Sequence, residues 1–330
     1  MSFIIFTSWV VGSVIGMRDL EKFPVDNNLP VNDPLYKKQL PYLQAIGVPD
    51  AWKRLVSTPV KREKVTVAVI DSGVQSDHPD LVANVIKGYN VIDHNDDTHD
   101  RNGHGTKMAG VLGATLNNSI GLAGVIDLVK IMPIFDGKPV LSTATTDAVD
   151  YVIRNRKEFN IKIILMATTF EREDKALTDK VKEATEAGVL IVVPAGNDGE
   201  NISVRKRYPC AFTEKLKGVL CVAATEKAEA KLMKESNFGN YVDIAAPGRD
   251  IIATGKNSEY TSVYGTSPAS AILAGVAAML YSLVPNLAPG DVKKILKDTA
   301  KVRVKDSSGK ITFPFGRVDA GQAVAKLIPG

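Results

Sequence analysis

VTVAVIDSG, residues 65–73, opens with six apolar or β-branched residues in a row and no alternation. A strand with one wet face alternates polar and apolar positions, so this run predicts a strand covered on both faces, as in a parallel sheet between helices. Its carboxyl end is Asp71-Ser72-Gly73, and open α/β sheets bind their ligands beyond that end of the strands. Similar runs recur at 129–134, 161–166, 189–193 and 219–224. Between them lie helical patterns: Val149, Val152, Ile153 and Phe159 keep core-facing spacing, and 176–187 stops at Gly188. The repeated strand–helix–strand order predicts an α/β fold, a three-layer sandwich around a mostly parallel central sheet. Residues 17–62 are punctuated by Pro and Asn and are expected over the surface, with one short helix at 42–52.

The 330 residues, 45% hydrophobic and 24% charged, suffice for a sizeable soluble core. The net charge of +4 is spread thinly and its only tight run is Arg205-Lys206-Arg207, so no nucleic-acid partner is expected. Cys210 and Cys221 cannot build a multi-disulfide framework; a bridge, two free thiols and simple burial all remain open. The apolar stretch 3–16 is too short to span a membrane and no basic residue precedes it, so a signal-like segment and an ordinary apolar tail fit equally. The chain is divided into an extension, 1–29, and one domain, 30–330.

Three polar side chains stand at element boundaries. Asp71 ends the first strand, although Asp also caps turns. His104 lies in Asn102-Gly103-His104-Gly105-Thr106, where flanking glycines permit close backbone approach ahead of a small-residue helix. His78, His94 and His99 lack that setting and read as satisfied polar groups. Ser267 precedes the buried-helix pattern of 269–283, where serine is also a good N-cap. Asp, His and Ser in this chain order form one of the known orders of the hydrolytic triad.

The stretches VAVIDSGVQSDHPDL, NGHGTKMAGVLGA, LNNSIGLAGV, VVPAGNDGEN, YVDIAAPG and GTSPASAILAG, spread through residues 32–325, resemble the subtilisin-like serine protease family. The resemblance implies an endopeptidase that works through an acyl-enzyme. Ser267 would be the nucleophile, His104 the general base and then acid, and Asp71 the group that orients the imidazole. Asn197 and the Ser267 backbone N–H would form the oxyanion hole. An extended substrate strand is expected beside 134–138 and Ala167, Thr168 and Thr169, with Pro194, Ala195 and Gly196 also at the substrate. The resemblance further implies Ca²⁺, held by the Asn118 side chain, the carbonyls of Leu116, Ile120 and Leu122, the Asp80 carboxylate and the Gln39 amide oxygen. A plain hydrogen-bonded turn is the alternative for Asn117-Asn118-Ser119.

Several positions depart from the family pattern. Pro268 and Ala271 replace the usual Met after the serine and Pro four residues on; Pro at a helix start costs little, because its missing N–H would be unpaired there anyway. Tyr264 replaces a small residue and is expected to crowd the nucleophile. Thr169 stands where glycine is usual and is expected either to narrow the primary pocket or to obstruct the bound peptide. Glu171, Arg172, Glu173, Asp174 and Lys175 form either a solvated loop or a charged rim favouring basic substrate positions. The resulting expectation is a secreted, calcium-binding monomer acting on protein or peptide substrates, with no stable membrane span and with a sequon at Asn201-Ile202-Ser203. The rival is a catalytically impaired homologue that keeps the cleft for peptide binding.

Overall fold

Elements appear in the order the patterns predict. The computed structural model describes residues 31–328 apart from Lys138; the segment 3–16, the boundary at residue 30 and Lys138 itself lie outside the described residues. Two helices come first, α1 (Tyr36–Ala45) and α2 (Val48–Ser57), followed by strand β1 (Val65–Asp71). The single helix predicted over 42–52 is corrected to two because the chain turns at Gly47 with φ +65, where a Cβ would meet Asp319 Oδ1 at 2.9 Å. Next come β2 (Tyr89–Asn90), α3 (His104–Gly113), β3 (Val129–Phe135), α4 (Ser142–Asn155), β4 (Ile161–Met166), α5 (Lys175–Glu186), β5 (Leu190–Pro194), β6 (Val219–Thr225) and β7 (Ile244–Pro247). An antiparallel pair, β8 (Ile251–Thr254) and β9 (Tyr260–Val263), leads into the long α6 (Thr266–Leu283). The chain then forms α7 (Pro289–Thr299), the pair β10 (Arg303–Lys305) and β11 (Thr312–Gly316), and α8 (Ala320–Ala325).

The central sheet has seven parallel strands in the order β2-β3-β1-β4-β5-β6-β7. The five runs predicted as strands are β1, β3, β4, β5 and β6, each end within one residue. On one face, Val149, Val152 and Ile153 of α4 and Leu177, Val181 and Ala184 of α5 share a buried cluster with Ala68, Ile70, Met132, Ile164 and Ile191. Helices α3 and α6 pack on the strands from the other side, which completes the three layers. Cys210 and Cys221, both fully buried, form a disulfide with Cα atoms 4.8 Å apart, so of the three states open for them the bridged one is found.

Two features of this frame place the polar residues. Parallel strands all end on one edge, so Asp71, the segment 167–170 after β4 and the segment 195–200 after β5 emerge side by side. The apolar α6 runs beneath β4–β7, and its first turn comes up at that edge.

Candidate active site

Asp71 is nearly inaccessible, with its side chain 2% exposed, and Oδ1 accepts a hydrogen bond from Ser72 N at 2.7 Å. His104 Nδ1 lies 2.9 Å from Asp71 Oδ1 and 2.7 Å from Oδ2. A carboxylate only accepts, so Nδ1 carries the proton and donates, which leaves Nε2 as the acceptor. The imidazole is 30% exposed, so one end is anchored in the core and the other faces the cleft.

The backbone that carries His104 is pinned by a residue whose role the motifs do not reveal. Asp100 is fully buried. Its Oδ1 accepts from Ser72 Oγ (2.8 Å), Asn102 N (3.0 Å) and Gly103 N (2.6 Å), and its Oδ2 accepts from Thr106 N (2.9 Å) and Thr106 Oγ1 (2.6 Å). Burial by itself raises the proton affinity of Asp100, but these bonds outweigh it and hold the carboxyl below its ordinary range. Asp100 therefore ties the end of β1 to the first turn of α3. His78 is buried, with Nδ1 accepting from Asp80 N at 3.1 Å, and fits the reading as a satisfied polar group.

Ser267 is the only residue of α6 that is not buried. It is not an N-cap: the cap residue is Gly265, and the Ser267 hydroxyl donates to Ala167 O at 3.4 Å. Asn197 stands beside it. Its Oδ1 accepts from Thr266 N (2.8 Å) and Thr266 Oγ1 (3.0 Å), which directs Nδ2 away as a donor. Gly265 makes this approach feasible: its φ is +117, and a Cβ there would meet Asn197 Oδ1 at 3.0 Å and Nδ2 at 3.2 Å. Tyr264 is 69% exposed and its ring lies 5.9 Å from the Arg249 guanidinium.

The loop bearing Asn197 is stapled by Asn237, a fully buried amide absent from the motif reading. Asn237 Oδ1 accepts from Asp198 N (3.1 Å) and Glu200 N (2.9 Å), while Nδ2 donates to Ala195 O (3.0 Å) and Asp198 Oδ2 (3.1 Å). Pro194, Ala195 and Gly196 are buried at the end of β5; Ala167 is 8% exposed, and Thr168 and Thr169 are half-buried.

The loop 116–122 gathers a second set of residues. Asp80 Oδ1 accepts from Asn118 Nδ2 (2.8 Å) and Oδ2 from Leu122 N (2.9 Å), while Asn118 Oδ1 accepts from Ile120 N (2.8 Å). Gln39 is adjacent but occupied, its amide paired on both atoms with the Ala123 backbone at 2.8 Å. The residue that reaches the loop is instead Asp33, whose two oxygens accept from Asn117 N (2.9 Å) and Asn118 N (3.1 Å). Burial raises the proton affinity of both Asp33 and Asp80, and the negative charge of Asp80 adds to the rise at Asp33. Tyr260, which bonds Asp80, is pushed up to about 12, chiefly by burial and then by that carboxylate.

Residues 62–317 match the model of the subtilase family. The chain belongs to that family. It is 31% identical over 295 residues to thermitase of Thermoactinomyces vulgaris, covering 89% of this chain and 98% of the relative. It is likewise 31% identical over 251 residues to the major intracellular serine protease of Bacillus subtilis, covering 73% of this chain and 74% of that one. Among solved structures, a protease from Pseudoalteromonas arctica superposes with a TM-score of 0.76 at 27% identity, over 90% of this chain and 99% of that one. As a subtilase the chain is a serine-type endopeptidase, and the seven-stranded parallel sheet is the family fold.

Proposed function

We propose that Ser267, His104, Asp71 and Asn197 hydrolyse peptide bonds through an acyl-enzyme, in a catalytic domain that begins near residue 30. The observation that carries this reading is the one position of α6 that is not buried, Ser267, next to the residue that Asn197 bonds, in a fold that also locks a partly exposed His104 imidazole onto buried Asp71. Ser267 Oγ attacks the scissile carbonyl carbon as its proton passes to His104 Nε2, and the resulting imidazolium is stabilised by Asp71. Negative charge on the carbonyl oxygen is met by Asn197 Nδ2 and the Ser267 N–H, with the positive end of the 18-residue α6 adding to the field. The His104 proton then goes to the leaving amine, and water repeats the sequence on the ester. The bond from Ser267 Oγ to Ala167 O is long, so rotation of the hydroxyl toward the imidazole gives up little. Asn197→Ala is expected to lower kcat about 10²–10³-fold with little change in KM, a magnitude known from subtilisin itself. Unchanged turnover in steady-state kinetics would remove Asn197 from the mechanism.

The substrate is a protein or peptide in extended form, lying beside 134–138 and Ala167, Thr168 and Thr169, with the side chain before the scissile bond between that segment and Pro194, Ala195 and Gly196. Nucleic acid is not a partner in this reading, because the basic run is consumed by ion pairs: Arg205 with Glu200, Lys206 with Glu214 and Arg207 with Asp198. Helix α6 has the length and apolarity of a membrane span, but its burial marks it as a core helix. The enzyme acts as a monomer.

Calcium is proposed at the loop 116–122. Asp33 and Asp80 are partly desolvated carboxylates whose charges repel, and neither has a cationic partner among the described residues, so the donor set suits a hard cation. Asp33, Asp80 and Asn118, with carbonyls of Leu116, Ile120 and Leu122, would hold it, while Gln39 fixes Ala123 beside them. Bound there, the ion supplies charge compensation for the fold rather than chemistry at the scissile bond. Family membership alone does not assign a compartment, since a relative is named as intracellular. The buried Cys210–Cys221 disulfide supports secretion into an oxidising environment.

A further inference from the structure

Within the run 205–207 the three basic side chains differ sharply. Arg205 is 72% exposed and Lys206 47%, but Arg207 only 10%. Arg207 Nε and Nη2 donate to Asp198 Oδ2 at 3.3 and 3.2 Å, and Nη2 also to Glu200 Oε2 at 3.2 Å. Glu171 Oε1 lies 3.9 Å from the same nitrogen. Asp198 directly follows Asn197, and Glu171 comes two residues after Thr169, so one guanidinium joins the ends of the two segments that flank the substrate. Backbone bonds from Phe170 N to Tyr208 O (2.7 Å) and from Tyr208 N to Phe170 O (2.8 Å) hold Arg207 against the first of these segments. A cavity of about 460 Å³ opens at this point, lined by Glu171, Glu173 and Tyr208 together with the basic residues Arg172, Arg205, Lys206 and Arg207.

The charges decide what this end of the cleft accepts. Three carboxylates, Asp198, Glu200 and Glu171, converge on Arg207, and Glu200 is shared with Arg205 at 3.1 Å. Without the Arg207 guanidinium, Asp198 and Glu171 would lose the cation they converge on and only Glu200 would keep one, Arg205, so the unpaired carboxylates would attract a lysine or arginine side chain. With it, an incoming cation meets a buried like charge and must displace ion pairs already made, whereas a small neutral side chain displaces nothing. We propose that Arg207 is a specificity-determining residue: its guanidinium fills the carboxylate-lined end of the pocket for the residue before the scissile bond and excludes basic side chains from it. This runs against one of the two readings of 171–175, the charged rim that favours basic positions, and it rests on the peptidase reading above.

The test measures kcat/KM on tetrapeptide anilides that differ only in the residue before the scissile bond, with alanine, leucine, glutamate or lysine there. Wild type is expected to cleave the lysine substrate at least about tenfold less efficiently than the alanine one. Arg207→Ala should raise the lysine-to-alanine ratio by about tenfold or more, mainly through KM, and Asp198→Asn in that background should take back most of the gain. Arg207→Gln, which keeps hydrogen bonds but not charge, should move the ratio in the same direction and covers the case in which the alanine variant does not fold. An unchanged ratio in a folded Arg207 variant, or a wild type that prefers lysine, overturns the proposal. Fluorophosphonate labelling of the same samples separates the two readings. Labelled enzyme with an unchanged ratio sinks the specificity claim alone, and folded wild type that neither labels nor cleaves overturns both.

Discussion

Asp100 and the pair Asp33 and Asp80 are carboxylates withdrawn from water in one fold, yet their surroundings treat the charge in opposite ways. Asp100 receives five donated hydrogen bonds and its proton affinity falls; Asp33 and Asp80 each receive fewer, burial raises the proton affinity of both, and the charge of Asp80 adds to the rise at Asp33. The first region is electrostatically complete from the chain alone, and it carries the backbone of His104. The second has a surplus of negative charge that the described residues do not neutralise. The difference teaches that burial by itself does not decide the cost of a carboxylate; the count of donors aimed at it does.

Replacing Asp100 sets the upper bound on this contrast. Asp100→Ala strands Ser72, Asn102, Gly103 and Thr106 donors in the interior and is expected to cost about 3–5 kcal/mol, read as a shifted urea midpoint at unchanged m-value. A loss below about 1 kcal/mol would mean that the network does not hold α3 in place. The next largest effect is expected at the second region. Removing Ca²⁺ with a chelator should cost about 2.7 kcal/mol relative to a solution holding the ion at a hundred times its Kd, and Asp80→Asn should abolish that difference. A thermal midpoint indifferent to chelator would contradict the proposed ion. Smaller, but more specific, is a reversal of sign at Asp33. Asp33→Asn relieves repulsion and should stabilise the calcium-free protein by up to about 1 kcal/mol while destabilising the calcium-loaded one. The same sign in both conditions would separate Asp33 from the site. The smallest expected effect is on pH dependence. Asp100 holds its proton less tightly folded than unfolded, so its stabilisation is complete above the unfolded value of about 4 and is lost as pH falls through the lower folded value. Stability should therefore fall less steeply below about pH 4 in Asp100→Asn than in wild type.

What could be read in the sequence was whatever is local. Runs such as 65–70 and 161–166 show their burial by failing to alternate, and they are strands β1 and β4. The three triad candidates sit in short motifs, so their places at element boundaries could be read one at a time. The break at Gly47 was hidden, because a glycine inside a helical pattern is tolerated often enough not to mark a turn. The supporting residues were hidden for another reason: the bonds that tie them to the rest of the fold are remote, although Asp100 also bonds locally to Asn102, Gly103 and Thr106. Asp100 finds Ser72 28 residues away, and Asn237 finds Asp198 39 residues away. No periodicity or spacing links such pairs. Asp33 shows the same limit, since only the fold brings its carboxylate to Asn117 N and Asn118 N, 84 and 85 residues away, beside Gln39 on Ala123.

Peptidase activity stands or falls on Ser267 as a nucleophile activated by His104. Incubating folded protein with a fluorophosphonate probe at about pH 8 tests this directly, with the labelled peptide located by mass spectrometry. The expected result is stoichiometric labelling at Ser267, abolished in Ser267→Ala and slowed at least about a hundredfold in His104→Ala. Folded wild type that stays unlabelled, or that carries the label on another residue, would contradict it.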